Sequence, residues 1–350
     1  MDNIIKTGII GFGLSGKVFH APFLHVHPGF ELTAIVERHD ERSKRIYPHV
    51  KVLKDHRELL ADKNIRLVVI ATPNVMHFPM AAECLAAGKH VVIEKPFTNT
   101  VTEADELIRL AAKSGKKIFV FHNRRFDADF MTIQKLLQAG SLGDVTCYEA
   151  HFDRFSPQLK PNAWRDKELP GSGILFDLGP HLIDQALALF GMPHSLRARL
   201  SAEREGSRVD DCFELSLFYP NLTALLKAGM MVKEPGPRYL IRGTKASFTK
   251  YGIDPQEARL KAGEMPGSEN WGKEDEQYLG TLNPTGPDQQ AMIRVPGEQG
   301  NYMKFYENVF AVLSGKNIPM PVTAEEARNV IFIIEKAFES QAMNRRLSIR

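Results

Sequence analysis

The feature that most constrains this chain is a glycine motif that follows its first apolar run. Residues 11–16 read Gly-Phe-Gly-Leu-Ser-Gly, a match to G-x-G-x-x-G, directly after the apolar residues 8–10. In such a motif the first glycine permits a tight turn out of a strand, the second lets backbone approach a pyrophosphate, and the third lets the next helix pack closely on the strand. The motif predicts a dinucleotide-binding turn, and the alternative is a tight β–α turn without a ligand. The residues expected to contact the dinucleotide here are Gly11, Phe12, Gly13 and Gly16.

The sequence after the motif supports the dinucleotide interpretation. A second apolar run, residues 32–36, follows at βαβ distance and ends in Glu37, where an acid can bind the adenosine ribose hydroxyls. The Glu37 carboxylate would repel the 2′-phosphate of NADP, whereas Arg38 could pair with that phosphate or stack on adenine. We therefore expect NAD or NADP as the cofactor, and the acid favours NAD.

The first 122 residues alternate short apolar runs with amphipathic segments. Strands that helices bury on both faces have this composition. The alternation predicts an α/β fold whose N-terminal domain, residues 1–122, is a Rossmann doubly wound parallel sheet. The strand candidates are residues 7–10, 32–36, 50–53, 67–71, 90–93 and 117–121, and the helix candidates are 77–87 and 102–114, the second capped by Thr102 with Asp105.

After residue 122 the pattern changes to strands in succession. A chain of 350 residues suggests two domains, so we expect residues 123–350 to form a C-terminal α/β domain with a large open, mostly antiparallel sheet. Pro180 should either begin the helix at 174–190 or bend it. Residues 250–300 read as a long irregular arm. The remaining candidates are helices 127–139, 302–313 and 323–341, the last two able to pack back toward the first domain, and strands 145–152, 195–202, 212–219, 222–227, 239–242 and 246–249.

Charge and cysteine usage exclude several classes of protein. The net charge of +3 comes from 45 basic and 42 acidic residues, which makes no case for a nucleic-acid or membrane-surface partner. No apolar stretch approaches the roughly 18 residues of a membrane span. The three cysteines are far apart, and neither they nor the histidines have metal-ligand spacing, so no metal is predicted. Together with the lack of signal-peptide features at the N-terminus, this predicts a cytoplasmic protein.

Three further motifs, with the glycine motif, resemble the Gfo/Idh/MocA family of NAD(P)-dependent oxidoreductases. They are Ala71-Thr-Pro-Asn-Val-Met-His77, Glu94-Lys95-Pro96, and a D-x-x-x-H-x-x-D element within residues 171–184. The resemblance runs over the whole chain in order and spacing. Residues 122–127 and 248–257 are also similar to the subgroup that includes scyllo-inositol dehydrogenases. The resemblance implies a Rossmann domain and a C-terminal α/β domain whose open sheet forms the interface of a homodimer or homotetramer. It also favours NAD, since NADP-using members of the subgroup tend to carry a small neutral residue before the arginine.

Lys95, Asp177 and His181 are the expected catalytic residues, which also contact substrate. Lys95 follows a buried strand, at the sheet edge where such folds bind ligands, and matches the family's E-K-P lysine. The alternative is a solvated surface lysine. Asp177 and His181 are four residues apart, and a carboxylate beside a histidine can orient the ring and favour its protonated form. From the residues alone, a core histidine satisfied by Asp184 or by backbone is the stronger interpretation, and the resemblance reverses that preference.

Other motif residues are expected around the cofactor or the substrate. The turn after the fourth strand lies beside the expected cofactor groove, although its residues also suit a simple turn and a helix cap. Trp164 and Arg165 resemble the family's W-R pair near cofactor and substrate, and the alternative is a packing tryptophan with a surface arginine. The further cofactor-binding candidates are Thr72, Pro73, Asn74, His77, Glu94, Lys95 and Asn123.

These expectations converge on a dehydrogenase that acts on a secondary alcohol of a sugar or cyclitol. Hydride would pass from the carbinol carbon to the nicotinamide, His181 would accept the hydroxyl proton, and Lys95 would polarise the oxygen. One alternative is an NAD-dependent glycoside hydrolase of the same fold, which would release no net NADH. Another is a dinucleotide-binding regulator without turnover. The presence of Lys95, Asp177 and His181 together argues against a regulator.

Overall fold

The computed structural model describes residues 4–159, 166–285 and 291–349, which form two compact units. The first unit contains the described residues of Met1–Phe126, Pro255–Trp271 and Asn301–Arg328. The second contains those of Asp127–Asp254, Gly272–Gly300 and Asn329–Arg350. A division of the chain after residue 122 assigns residues 255–271 and 301–328 to the second domain, whereas in the structure they pack within the first unit.

A parallel sheet of six strands organises the described part of the first unit. Its strand order is β3-β2-β1-β4-β5-β6, so the order reverses between β1 and β4, where α/β sheets bind ligands. The strands that the apolar runs predict are all present, and β4 is buried along its whole length because helices cover both faces. The strands are β1 (Ile5–Ile10), β2 (Phe30–Val36), β3 (Lys51–Leu53), β4 (Leu67–Ile70), β5 (His90–Glu94) and β6 (Ile118–Phe121).

The two helices predicted at residues 77–87 and 102–114 are present, with one correction to a helix cap. The expected cap of Thr102 with Asp105 is wrong: the hydroxyl of Thr100 accepts a hydrogen bond from the Glu103 amide, and Glu103 bonds back. Thr100 is extended, so its hydroxyl lies over the first free amides of the helix, while Thr102 is already helical. The helices are α1 (Ala21–Val26), which continues a π-helical turn Gly16–His20, α2 (Arg42–Ile46), α3 (His56–Ala61), α4 (His77–Ala86) and α5 (Val101–Ser114).

The second unit is built on a mixed sheet of nine strands within the described residues. Its order is β14-β13-β12-β11-β7-β10-β9-β8-β15; β7 and β10 pair in parallel, and the other pairs are antiparallel. This confirms the expected open, mostly antiparallel sheet. The strands are β7 (Val145–His151), β8 (Ser195–Ser201), β9 (Cys212–Phe218), β10 (Thr223–Gly229), β11 (Tyr239–Gly243), β12 (Ala246–Lys250), β13 (Gly280–Pro284), β14 (Ile293–Val295) and β15 (Leu347–Ser348).

The prediction of a long irregular arm at residues 250–300 is correct only in part, because the described residues 250–285 and 291–300 also contain regular elements. They include a helix and two strands, β13 and β14, which extend the sheet beyond β12. The exposed edge position explains the weak signal, because strands there need no continuous apolar pattern. The remaining helices are α6 (Ala128–Gln138), α7 (Ile174–Asp177), α8 (Gly179–Phe190), α9 (Gln256–Lys261), α10 (Met303–Leu313) and α11 (Ala324–Met343).

The structure tests the prediction of a helix at residues 174–190 and that of a cap at Thr323. The segment 174–190 is helical on both sides of Leu178, where the chain breaks into α7 and α8, and Pro180 lies in the first turn of α8. The cap at the start of α11 is confirmed, since Thr323 Oγ1 accepts a hydrogen bond from the Glu326 amide. Within the residues described, no helix has the length and apolarity to cross a membrane.

Candidate cofactor and catalytic residues

The glycine turn has the geometry that dinucleotide binding requires. Gly11 has a φ of +97°, and a Cβ on it would lie 2.6 Å from the Ala71 carbonyl oxygen. A Cβ on Gly16 would lie 2.1 Å from the Gly11 carbonyl oxygen. Around Gly13, by contrast, no atom comes within 4 Å of the position of a Cβ. Gly11 and Gly16 are therefore needed for packing, whereas Gly13 leaves open space beside the backbone.

A cavity of about 590 Å³ opens beside this turn in the first unit. The hydroxyl oxygen of Thr72 is buried and has no hydrogen-bond partner among the described residues, so it can bind a ligand group in the cavity. An orphaned hydroxyl and an open glycine face are the features a bound dinucleotide would satisfy. The residues present therefore fit the cofactor. The cavity is lined by seven of the predicted cofactor residues, Gly11, Phe12, Gly13, Glu37, Arg38, Thr72 and Pro73.

The Glu37 carboxylate is engaged by its own loop. It accepts hydrogen bonds from the amides of Arg42 at 3.2 Å and Ser43 at 2.8 Å, and from the Ser43 hydroxyl. Its side chain is only 3 % exposed. Arg38, by contrast, is exposed and has no hydrogen bond or ion pair within the described chain. The sequence predicts both side chains near the adenosine ribose, but only the tertiary structure shows that the charge of Arg38, and not that of Glu37, is available to a ligand.

Lys95 follows β5 at the carboxyl edge of the parallel sheet. Its backbone amide donates to Glu94 Oε2 at 2.9 Å, so the predicted catalytic lysine is tied to the buried acid before it. The peptide bond from Lys95 to Pro96 is cis. Glu94 Oε1 accepts hydrogen bonds from His20 Nε2, at 2.9 Å, and from the Ser15 hydroxyl. Neither His20 nor Ser15 was singled out from the sequence, because nothing local marks either as a partner of residue 94.

His77 joins the two turns that follow β4 and β5. Its Nδ1 lies 2.8 Å from the Pro96 carbonyl oxygen and its Nε2 lies 3.0 Å from that of Thr72. The ring is fully buried, and burial lowers its pKa against the opposing effect of those carbonyls. Of the other predicted cofactor residues, Asn74 and Asn123 are buried in the short 3-10 helices that follow β4 and β6. In the structure His77 contacts protein backbone on both sides, so it supports the shape of both turns.

Asp177 and His181 lie on opposite sides of the break between α7 and α8 in the second unit. His181 is 6 % exposed, and its ring centroid lies 6.3 Å from that of Phe152. Phe152 in turn lies under the Arg238 guanidinium, 4.5 Å from the ring centroid. Asp177 is half-buried and lines a cavity of about 500 Å³.

Charged side chains line part of the cavity beside Asp177. Arg154, Arg204 and Asp210 line it, and Arg204 also forms ion pairs with Asp166 at 2.8 Å and Asp211 at 2.9 Å. Asp210 accepts a hydrogen bond from the Leu175 amide at 2.7 Å, and burial raises the pKa of its carboxyl. Such a lining of carboxylates and guanidinium groups suits a ligand rich in hydroxyls.

Sequence reasoning missed Asp210, although it holds the start of α7. A Cβ on Gly173, at φ +88°, would lie 2.1 Å from Asp210 Oδ1, which explains the second glycine of the motif that begins at Gly171. The adjacent acids at 210 and 211 were the available signal. The predicted pair Trp164 and Arg165 lies outside the described residues.

Comparison with known proteins assigns both parts of the chain to one family. The family description "Oxidoreductase family, NAD-binding Rossmann fold" of Gfo/Idh/MocA matches residues 5–122, and its "C-terminal alpha/beta domain" matches residues 134–349. The scyllo-inositol 2-dehydrogenase (NADP(+)) IolW of Bacillus subtilis is 41% identical over 99% of this chain and 96% of its own length. The D-glucoside 3-dehydrogenase of Escherichia coli is 28% identical over 54% of this chain and 55% of its own length. The solved structure of yvaA from Bacillus subtilis has a TM-score of 0.95 at 39% identity and covers 100% of this chain and 99% of that one.

Proposed function

The chain belongs to the Gfo/Idh/MocA family of oxidoreductases, and on that premise we propose that it oxidises a secondary alcohol of a sugar or cyclitol, such as an inositol, with NAD(P) as the hydride acceptor. The observation that carries the proposal is the setting of Lys95. Its backbone amide donates a hydrogen bond to the buried Glu94 carboxylate at the carboxyl end of β5. The glycine turn follows β1 at this same edge of the parallel sheet. A relative of similar length acts on scyllo-inositol by its name, which supports a polyol as the substrate.

The chemistry divides between the cofactor and three side chains. When bound, the nicotinamide supplies the acceptor for the hydride from the carbinol carbon. The Lys95 ammonium donates a hydrogen bond to the substrate oxygen and stabilises its developing negative charge. His181 accepts the hydroxyl proton, and Asp177 favours the resulting imidazolium by its charge.

A substrate panel tests the reaction class. Inositols, hexoses and sugar acids would be offered with NAD⁺ and with NADP⁺, and formation of NAD(P)H would be followed by absorbance. Turnover of a polyol with net cofactor reduction supports the dehydrogenase, whereas cleavage of a glycoside without net reduction would support the hydrolase alternative. Cofactor binding with no turnover of any compound would favour the regulator.

Lys95→Ala tests the proposed catalytic residue. We expect kcat to fall on the order of 10²–10⁴-fold while cofactor affinity changes little, because the lysine acts on the substrate oxygen. Lys113→Ala, at an exposed position of α5, removes the same charge from the first unit and should leave kcat unchanged. A Lys95→Ala enzyme within a few-fold of wild-type kcat would remove Lys95 from the mechanism.

For the choice of cofactor we propose NADP, which departs from the preference that the residue types alone favour. The Glu37 charge is offset by the two amides that bind it, while the Arg38 guanidinium lines the cavity without a protein partner in the described chain. The NADP(+) in the name of the IolW relative supports this choice.

Calorimetric titration of NADPH and NADH separates the two cofactors. Arg38→Ala should weaken NADPH binding on the order of tenfold and leave NADH binding unchanged, since one charge-assisted contact is lost. Arg45→Ala, an exposed arginine of α2 away from the cavity lining, is the matched control. Tighter binding of NADH than of NADPH by the wild type would contradict the proposal.

Self-association through the sheet of the second unit remains a proposal. Burial alternates along β9, where Phe213, Leu215 and Leu217 are covered and the residues between them are more accessible. One face of the sheet is thus available to a second copy of the chain. Sedimentation equilibrium would test it, and a monomer at micromolar concentration would contradict it.

A further inference from the structure

We propose that His20 and Tyr306 are positioning residues that fix the Glu94 carboxylate and, through it, both the catalytic lysine and the glycine turn. The inference rests on the proposed function of Lys95. It concerns a buried chain of side chains within the first unit. Neither residue belongs to the motifs that predict cofactor binding or catalysis.

His20 is held on three sides. Its ring is fully buried and lies against Phe121, with ring centroids 4.4 Å apart. Its Nδ1 is 2.6 Å from the Tyr306 hydroxyl, and its Nε2 is 2.9 Å from Glu94 Oε1. Tyr306 comes from α10, which is 286 positions away in the sequence.

The direction of the hydrogen bonds that join Tyr306, His20 and Glu94 follows from the acceptor, the Glu94 carboxylate. An ionised carboxylate can only accept, so His20 Nε2–H donates to Glu94. The tautomer with its proton on Nε2 leaves Nδ1 to accept from the Tyr306 hydroxyl, which keeps its own proton because burial raises its pKa well above 10. Both ring nitrogens of His20 therefore have a partner, Tyr306 on one side and Glu94 on the other.

Glu94 connects two functional segments. Its Oε1 accepts from the hydroxyl of Ser15, inside the glycine turn, and its Oε2 accepts from the Lys95 amide. Burial alone would raise the pKa of Glu94, but the hydrogen bonds from His20 and Ser15 and the nearby Lys95 lower it to about 2. The carboxylate is therefore ionised at neutral pH and keeps all its donors.

A purely structural role does not require this arrangement. A buried charged group loses its hydration, and a well-packed apolar cluster of the same volume often stabilises a fold equally well. Here the charge lies where the turns after β1 and β5 meet, one residue from the proposed catalytic lysine. The geometry therefore indicates alignment of the two turns.

The test compares three variants with a packing control. His20→Leu removes both hydrogen bonds, His20→Gln keeps an amide that can donate to Glu94, and Tyr306→Phe removes one hydroxyl. Val309→Ala, a buried position of α10 without a polar group, gives a comparable loss of packing. For each full-length protein one would measure Tm, hydrogen exchange of the Lys95 amide relative to the β4 amides, NADPH affinity by calorimetry, and kcat.

We expect His20→Leu to speed exchange of the Lys95 amide and to weaken NADPH binding, each on the order of tenfold, with a larger loss in kcat than in KM. His20→Gln should recover most of this, and Tyr306→Phe should give an intermediate effect and carry the test if His20→Leu does not fold. Val309→Ala should bind NADPH as the wild type does despite a lower Tm. The inference is wrong if the His20 and Tyr306 variants, compared with Val309→Ala at equal Tm, show the same exchange rate of the Lys95 amide, the same NADPH affinity and the same kcat. A wild type that binds neither NADPH nor NADH would instead overturn the proposed function, and the exchange measurement would still decide the positioning role.

Discussion

The acid dependence of stability should report directly on Glu94. Its side chain is 10 % exposed, and His20, Ser15 and Lys95 all favour its ionised form. The substitution Glu94→Gln keeps the size of the side chain but removes the charge. Because folding lowers the carboxyl pKa from 4.5 to about 2, the ionised group contributes about 3 kcal/mol to the free energy of unfolding at pH 7.

The sign of the pH effect follows from the direction of the shift. The folded-state pKa of Glu94 lies below the unfolded value, so its contribution is complete above pH 4.5 and is lost as the pH falls toward 2. The wild type should therefore exceed Glu94→Gln in stability by a margin that narrows by about 2 kcal/mol between pH 7 and pH 3. Carboxylates that titrate equally in both proteins cancel in this difference.

Urea unfolding at pH 7, 5, 4 and 3 measures the margin. Trp271 is 3 % exposed in the same unit, so tryptophan fluorescence can follow unfolding there. Glu264→Gln, at an exposed position of the same unit, is the control, and its difference from wild type should not vary with pH in this way. A margin between wild type and Glu94→Gln that stays constant from pH 7 to pH 3 would refute the argument that the His20 and Ser15 hydrogen bonds hold Glu94 ionised.

The remaining predictions concern the glycine turn and the proposed base. Gly16→Ala should abolish NADPH binding measurable by calorimetry, because its Cβ would lie 2.1 Å from a backbone carbonyl oxygen, and normal binding by this variant would exclude the turn as the cofactor site. Gly13→Ala should fold normally but bind NADPH weakly, because the space beside Gly13 is open in the protein and would be needed by the cofactor. His181→Gln should slow alcohol oxidation on the order of 10²-fold or more and erase the acidic limb of kcat/KM against pH, since glutamine cannot accept the proton. Asp177→Asn should shift that limb without erasing it, and an unchanged profile in both variants would place the proton acceptor elsewhere.

Much of the first unit could be predicted because its signals are local. Each buried parallel strand needs a nearly continuous apolar run, and the turn between β1 and the next helix needs glycines at fixed spacing. The predicted strands of the parallel sheet are present in order, and seven predicted cofactor residues line its cavity. Strand succession in the second unit likewise predicted a mostly antiparallel sheet.

What the sequence could not determine depends on residues far apart in the chain. The direction of the Glu37 carboxylate is set by amides five and six residues later, and the strands β13 and β14 exist because β12 offers them an edge. The bond between His20 and Tyr306 spans 286 positions, and no periodicity records which side chains meet across such a distance. Composition and spacing determined which residue types could serve a dehydrogenase. Only the tertiary structure decided which buried partners hold them, because a buried polar group must find its hydrogen bonds wherever the fold supplies them.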